Sequence, residues 1–285
     1  SHWAMTSGLP DDFDSESNVR GLIARVGSEP LPETDGFCVE SAGLSALTQM
    51  EYGIRRAIEL GNVPAGALPS LTAGQAAGNA GICRRIWGGE ERFEDVEEPG
   101  ALRDFIAERS GRLFRMYEKV LNGACRDRNT AAARLDPAAW RVPGSLKFMQ
   151  HLRACGVENY FVTGAVIYED GGMAEEIEAV GLEVGPGRLV EELRGSSWDR
   201  KMPKDEVMRE LFAAKGIDPK TVLVLGDGRT EIKAGADMGC VALSRLPEDA
   251  RRQRELHRRL GTNYIVADWT DPALEAMFRG DGDGV

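Results

Sequence analysis

Short apolar runs alternate with amphipathic stretches in the second half of the chain. The clearest run extends from Val222 to Leu225, and its unbroken apolar character predicts a strand buried on both faces, as in a parallel sheet. A helical pattern begins after the next turn and covers Ile232 to Met238. A strand, a glycine-rich turn and a helix in this order indicate an α/β fold with a parallel sheet.

Between residues 42 and 140 the pattern has helical periodicity throughout. Helices are predicted at Glu51 to Leu60, Ser70 to Trp87 and Ala101 to Leu121. The third helix carries its apolar residues in one stripe, which is typical of a helix that packs against a core. We therefore predict an all-helical segment, in which the acidic stretch Glu90 to Glu98 forms an exposed loop.

The turn after the Val222 to Leu225 strand carries two carboxylates, Asp227 and Glu231, beside the glycines Gly226 and Gly228. Open α/β sheets bind their ligands at the carboxyl ends of the strands. Hard oxygen ligands in such a turn suit Mg²⁺ better than zinc or copper. The alternative is a tight turn in which Glu231 is only an acidic residue of the first helical turn.

Charge and composition limit the classes of partner. A formal net charge of −11 argues against nucleic acid, which needs clustered Lys and Arg on an electropositive face. The one basic cluster, Arg251 to Arg259, is interleaved with acidic residues and includes His257, so it is predicted to be the solvated face of a helix. No run has the apolar length of a membrane span, so we predict no membrane partner and a cytoplasmic location. A small phosphorylated metabolite remains compatible with these charges.

The beginning of the chain and the cysteines are predicted to be functionally silent. Residues 1–4 have the character of an expression-tag remnant before Met5, and residues 6–18 are polar, acidic and predicted to fray. The five cysteines are odd in number and lack metal-ligand spacing, which argues against a disulfide framework. They are predicted to be buried small hydrophobes.

Several segments of the second half resemble the haloacid dehalogenase superfamily in their order and spacing. They are the Pro-Gly segment Arg141 to Gly144 with the helix after it, the strand Asn159 to Thr163, the helix that Lys204 opens with Val207, Met208, Leu211 and Phe212, the Asp227 to Glu231 turn, and the strands Gly239 to Leu243 and Asn263 to Asp268. The resemblance implies a Rossmann-like parallel sheet with an inserted helical cap. Residues 19–41 and 141–285 would form the core, with Tyr160 to Val162 and Val222 to Leu225 as its central strands. Residues 42–140 would form the cap, and residues 1–18 a flexible start.

The resemblance also implies roles for individual residues. Thr163 would bind the phosphoryl group, and Lys204 would neutralise its charge. Lys201 competes for the role of Lys204, which we prefer because of the apolar stripe behind it. Asp227 and Glu231 would hold Mg²⁺. Gly164 and Arg229, which adjoin these motifs, are further candidates for substrate binding.

The first motif departs from the family pattern of Asp-x-Asp-Gly after a strand. The best match is Glu33-Thr34-Asp35-Gly36, so Glu33 stands where the family has its nucleophile, and Asp35 would serve as general acid and base. Both would also contribute to the metal site. Two prolines directly before this motif disfavour a buried strand there, so Gly21 to Val26 is an alternative position for the strand.

Three functions are compatible with this sequence. The first is a Mg²⁺-dependent phosphatase of a small phosphorylated metabolite, weakened because Glu33 is one methylene longer than Asp. The second is a repurposed enzyme that keeps the fold but performs other chemistry, for example in a specialised biosynthetic pathway. The third is a catalytically silent binding or regulatory protein.

Overall fold

The computed structural model describes residues 4–5, 9–24, 36–37, 41–167, 172–197, 200 and 202–277. It divides into two compact units, Ser1–Asp127 and Arg128–Val285. The predicted core residues 19–41 belong to the first of these units, whereas the resemblance groups them with residues 141–285, and that grouping stays a prediction. Glu33, Asp35 and Lys201 lie outside the described residues.

The described residues of the first unit form helices joined by turns and loops, without a strand, as expected from the helical pattern predicted for residues 42–140. Its helices are α1 (Glu16–Ile23), α2 (Ala46–Glu59), α3 (Ala73–Trp87) and α4 (Gly100–Leu121). The first three begin at hydroxyl residues, Ser15, Ser45 and Thr72, whose side chains accept a hydrogen bond from a backbone N–H in the first turn. Helix α4 starts after Pro99 and continues into a π-helical turn at Asn122–Arg126.

The acidic stretch 90–98 was predicted to be an exposed loop, and this prediction is wrong for two of its residues. Glu91 is buried and accepts hydrogen bonds from the Ser45 N–H and the Thr48 hydroxyl. Glu98 binds the buried guanidinium of Arg55 through both carboxylate oxygens, at 2.6 and 2.9 Å. These two carboxylates join the stretch to α2, because a buried charge is stable only when it is paired or hydrogen-bonded.

Fraying of the N-terminal segment is also contradicted by its burial. Leu9 and Phe13 are fully buried, and the guanidinium of Arg109 stacks near the Phe13 ring while it pairs with Asp11. The polar residues here are thus partners of α4 rather than solvated charges. The alternative strand at Gly21 to Val26 is wrong for its first residues, because Gly21–Ile23 forms the last turn of α1.

The second unit is a parallel α/β structure, as predicted. Its elements are α5 (Asp127–Leu135, which begins at the unit boundary), α6 (Ser145–Ala154), β1 (Tyr160–Val166), α7 (Met173–Ala179), β2 (Glu192–Ser196), α8 (Lys204–Lys215), β3 (Leu223–Gly226), α9 (Arg229–Met238), β4 (Val241–Arg245), α10 (Arg251–Arg259), β5 (Tyr264–Val266) and α11 (Pro272–Met277), with 3-10 turns at Pro137–Trp140 and Pro219–Thr221. No helix in the described residues combines the length and apolarity needed to cross a membrane.

The described strands form two parallel sheets, in the orders β1-β2 and β3-β4-β5. In the second sheet Gly226 pairs with Ser244, and Leu243 pairs with Tyr264. The strands β1 and β3 were predicted to be central, but within the described residues each lies at the edge of its sheet. Strand β1 also contains an irregularity, because its register with β2 shifts between Val162 and Val166.

Strand β3 has apolar side chains packed on both of its faces, as the unbroken apolar run predicted. Val222 and Val224 pack with α8 residues, whereas Leu223 and Leu225 pack on the other side with Phe148 and Leu243. Helix α8 presents the predicted stripe, with Val207, Met208, Leu211 and Phe212 all buried. It ends at Gly216, which has φ +66° and therefore terminates the helix without Cβ strain.

Candidate functional site

One cavity of about 890 Å³ in the second unit brings four predicted site residues together. Thr163 lies on β1, Lys204 is the first residue of α8, Asp227 follows β3, and Glu231 lies in the first turn of α9. All four line the cavity. The order of elements explains this, because the carboxyl ends of parallel strands and the amino ends of the following helices meet at one edge of a sheet.

The cavity extends along the backbone edges of β1 and β3. Its lining includes the consecutive residues 160–163 of β1 and 222–226 around β3. Successive side chains of a strand point to opposite faces. A cavity that is lined by consecutive residues of a strand therefore runs along the edge of that strand. Much of the remaining wall is apolar, including Met149, Leu182 and Met208. The charged residues Lys204, Asp227 and Glu231 lie near the carboxyl ends of the strands, whereas Glu158 and Asn159 line the cavity next to the start of β1.

Lys204 and Glu231 form a buried ion pair at this edge. The Lys204 Nζ donates to Glu231 Oε2 at 2.9 Å, and the side chains are 16% and 10% exposed. The Gly228 N–H donates to Glu231 Oε1 at 2.7 Å, and the Thr230 hydroxyl donates to Oε2 at 3.1 Å. Burial opposes the charge of Glu231, but the Lys204 ammonium and these hydrogen bonds hold the pKa of its carboxyl below its usual range.

The two glycines of the turn are explained by this carboxylate. A Cβ at Gly226 would lie 2.5 Å from Glu231 Oε1, and one at Gly228 would lie 2.7 Å from the same oxygen. Glu231 folds back over the turn that precedes its own helix, so any side chain at these positions would displace it. The two glycines therefore leave room for this position of Glu231, which also accepts from the Gly228 N–H as an acidic residue of the first helical turn, as in the alternative given for this turn.

Asp227 differs from Glu231 in being available to a ligand. It is exposed and has no hydrogen-bond or ion-pair partner among the described residues. The described part of the chain contains no group of three or more His, Cys, Asp or Glu side chains positioned to hold a metal ion. At this turn, Asp227 provides a carboxylate without a partner among the described residues, whereas the carboxylate of Glu231 is already paired with Lys204. The other predicted ligands, Glu33 and Asp35, lie outside the described residues.

Thr163 lies within β1 rather than at the strand's end as predicted, because the strand continues to Val166 through its irregularity. The Thr163 Oγ1 accepts a hydrogen bond from the Ala165 N–H at 3.1 Å. The hydroxyl proton is therefore free to be donated to a ligand oxygen. The neighbouring Gly164 is buried, and its carbonyl accepts from the Ser196 hydroxyl at 3.3 Å. Arg229 is half-buried as the first residue of α9.

Comparisons with known proteins give structural similarities of low sequence identity. A protein of Bacteroides vulgatus that is provisionally described as a beta-phosphoglucomutase is 14% identical, with a TM-score of 0.43, over 97% of this chain and 86% of its own. A HAD family hydrolase of Deinococcus radiodurans R1, solved with bound phosphate and sodium, is 17% identical, with a TM-score of 0.34, over 78% of this chain and 83% of its own. No family model and no curated protein matches the chain.

The second of these proteins is described as a member of the superfamily that the sequence motifs resemble. With TM-scores below 0.5, neither similarity bears on the roles of individual residues. Those roles have to be argued from the contacts within the second unit.

Sequence reasoning missed a buried polar group behind the turn. His257 was assigned to a solvated helical face, but it is only 2% exposed, and its Nδ1 lies 2.8 Å from the Ser244 hydroxyl. Burial lowers the pKa of His257, although the charges of Glu231 and Asp227 act in the opposite direction. No local signal distinguishes His257 from its charged neighbours, because its burial depends on the contact between α10 and β4.

Sequence reasoning also missed Arg245, the last residue of β4, which lines the same cavity. Its position could have been deduced from the strand pattern, since residues at the carboxyl end of a parallel strand lie at the sheet edge where ligands bind. The run Val241 to Leu243 was identified, but the arginine two positions later was not considered.

Proposed function

We propose that the chain is a hydrolase of phosphate esters that acts on a small phosphorylated metabolite with the help of Mg²⁺. One observation carries the proposal: Thr163, Lys204, Asp227 and Glu231, from four separate elements, line a single cavity at the ligand-binding edge of a parallel α/β unit. A hydroxyl, an ammonium and carboxylates in one place are the groups that phosphoryl transfer uses.

Each of these side chains has a task that its contacts support. The Thr163 hydroxyl, whose oxygen already accepts from the Ala165 N–H, donates its proton to a phosphate oxygen. The Lys204 ammonium offsets phosphate charge, and Glu231 holds it in position. Asp227 presents a free carboxylate to the cation. When bound, Mg²⁺ neutralises charge that develops on the phosphate oxygens.

The reacting groups come from the first motif. Glu33 is proposed as the nucleophile and Asp35 as general acid and base, as the resemblance implies. A longer side chain at the nucleophile position misplaces the attacking oxygen, and an error of about 1 Å costs on the order of a hundredfold in rate. We therefore expect slow hydrolysis of generic phosphate esters by the natural sequence.

The metal part of the proposal is tested by thermal unfolding with and without millimolar MgCl₂. We expect Mg²⁺ to raise the Tm of the wild type, and Asp227→Asn to abolish this increase because it removes the free carboxylate. Asp237→Asn is the matched control, since Asp237 is an exposed aspartate on α9, the helix that follows Asp227, and pairs only with Lys233 among the residues described. A wild type whose Tm is unaffected by Mg²⁺ would contradict the proposed cofactor.

The chemical part is tested by phosphate release from a panel of sugar phosphates and an aryl phosphate. Glu33→Asp should raise the rate by about tenfold or more, equivalent to roughly 1.4 kcal/mol of barrier. Asp35→Asn should abolish activity, because protonation of the leaving group depends on this residue. If neither variant differs from an inactive wild type, the first motif is not at the reacting centre and hydrolysis is rejected.

A binding protein without hydrolytic activity is the second candidate. Both carboxylate oxygens of Glu231 already have protein partners, which suits a preformed anion pocket as well as a metal site. In that case the cavity would bind the phosphorylated metabolite and release it unchanged. Tight binding of a sugar phosphate that is recovered intact would favour this candidate over the hydrolase.

A further inference from the structure

We propose that Arg245 binds the phosphate group of the ligand, as an anion-binding residue beside Asp227. This inference rests on the proposed function for the identity of the anion. It concerns a residue that neither the motifs nor the resemblance assigns to the site.

The strand register brings Arg245 next to Asp227. Gly226, the last residue of β3, pairs with Ser244 of β4, so Asp227 directly after β3 and Arg245 at the end of β4 are the next residues along two neighbouring parallel chain segments. Neighbouring strands lie about 4.8 Å apart, and paired positions point to the same face. An arginine side chain that starts this close to Asp227 reaches any group bound there. Arg245 lines the cavity together with Asp227, Lys204 and Glu231.

The guanidinium of Arg245 has no acidic partner within the described residues. Its Nε is buried without a hydrogen-bond acceptor, and no ion pair of this side chain is found there. Asp268, whose carboxylate feels the charge of Arg245, is held by the N–H and the hydroxyl of Thr270 at 2.8 and 2.6 Å. These hydrogen bonds lower the pKa of Asp268, and Arg245 contributes only through its charge at a distance. Burying a donor without an acceptor is unfavourable, so the position is suited to an acceptor supplied by a ligand.

The charges around the cavity make Arg245 the available cation. Among the described lining residues, the acidic side chains are Glu158, Asp227 and Glu231, and the basic ones are Lys204 and Arg245. Lys204 is already paired with Glu231 at 2.9 Å. Within the described lining, an incoming anion therefore meets one cation, Arg245, that is not held in an ion pair. The planar fork of an arginine also donates two parallel hydrogen bonds to two oxygens of one phosphate, which an ammonium cannot do.

Binding of inorganic phosphate to the wild type in the presence of a chelator tests the role of Arg245 apart from any metal. Titration calorimetry should detect binding to the wild type, and Arg245→Gln should weaken it by about tenfold or more. Arg245→Lys should retain part of the affinity, because it keeps the charge and loses the fork. Arg258→Gln, a matched change at an exposed position of α10, should bind as the wild type does. Circular dichroism of each variant checks that the fold is retained.

Two outcomes would overturn the inference: a wild type that does not bind millimolar phosphate, or an Arg245→Gln variant that is folded and binds phosphate as tightly as the wild type. Its failure is distinguishable from failure of the proposed function. If phosphate binding depends on Arg245 while no ester is hydrolysed, the hydrolase proposal fails and this one stands. If esters are hydrolysed with the same KM by Arg245→Gln and the wild type, only this inference fails.

Discussion

Arg55 is a buried cation at the centre of a network of polar side chains in the first unit. Its side chain is 3% exposed and binds Glu98 through two hydrogen bonds, Glu51 at 2.9 Å and the Asn79 side chain at 3.1 Å. The neighbouring Arg56 is a suitable comparison, because its side chain is 24% exposed and pairs with Glu59 on the same helix. The two arginines are adjacent in sequence and similar in local propensity, and they differ in burial.

We predict that Arg55→Gln lowers the free energy of unfolding by about 3–5 kcal/mol, since it leaves buried carboxylates without their cation. Arg56→Gln should cost less than about 1 kcal/mol, as expected for a partly exposed pair within a helix. Urea unfolding of both variants measures the difference. Equal losses in the two variants would show that the buried network does not stabilise this unit.

His257 leads to a prediction about pH. Burial lowers its pKa below the ordinary value of 6.5, against the opposing influence of Glu231 and Asp227. As pH falls through about 6.5, His257 in the unfolded chain binds a proton before the folded protein does, so stability decreases toward acid pH and is fully present above that value. We expect the free energy of unfolding of the wild type to fall between about pH 7.5 and 5.5.

His257→Gln should flatten this dependence, even if it lowers stability overall by breaking the contact with Ser244. His151→Gln makes the same change at a half-buried position of helix α6 and controls for the effect of the substitution itself. The measurement is the difference in slope, so a general loss of stability does not affect it. An unchanged slope in His257→Gln would mean that another group is responsible.

Helix α9 packs closely against β3, and one glycine makes this possible. A Cβ at Gly235 would lie 2.9 Å from the Cβ and Cγ2 of Val224, a rigid branched side chain in the sheet. At Gly111 in α4 the nearest atom to an added Cβ would be the end of the flexible Arg115 side chain, at 3.7 Å. Both glycines lie within helices, so intrinsic propensity favours alanine at both.

We predict opposite signs for the two substitutions. Gly235→Ala should destabilise the protein by about 1–3 kcal/mol, because overpacking separates α9 from β3. Gly111→Ala should stabilise it by up to about 1 kcal/mol, since alanine is the better helix former. Thermal and urea unfolding measure both effects. A stabilising Gly235→Ala would contradict the close packing of this helix on the sheet.

Elements with a strong local pattern were predictable, and those without one were not. The stripe of α8 was predicted residue by residue, because helix periodicity is a local property. Strand β2 was missed, since Glu192–Ser196 contains one large apolar residue. It is a strand through its parallel pairing with β1, in which Tyr160 lies opposite Glu192 and Phe161 opposite Leu193. Such pairing is not encoded in the five residues themselves.

The whole molecule carries a net charge of −11, which predicts weak interaction with nucleic acid. The basic helix α10 alternates Arg with Gln and Glu, and its Arg259 pairs with Glu255. We expect no binding of labelled duplex DNA by fluorescence anisotropy at low salt, where phosphate contacts are strongest. Micromolar binding that weakens with added salt would instead identify α10 as an electropositive surface.

The sequence by itself determined the local features of this protein: the parallel α/β class of the second unit, the helices of the first, and the turn with Asp227 and Glu231. These follow from periodicity, capping and glycine, which act over a few residues. Tertiary structure decided which groups meet. Lys204 pairs with Glu231 across 27 positions, Glu91 and Glu98 become buried, and Arg245 comes to lie beside Asp227. Burial and pairing depend on the elements that pack together, and no local pattern specifies their partners.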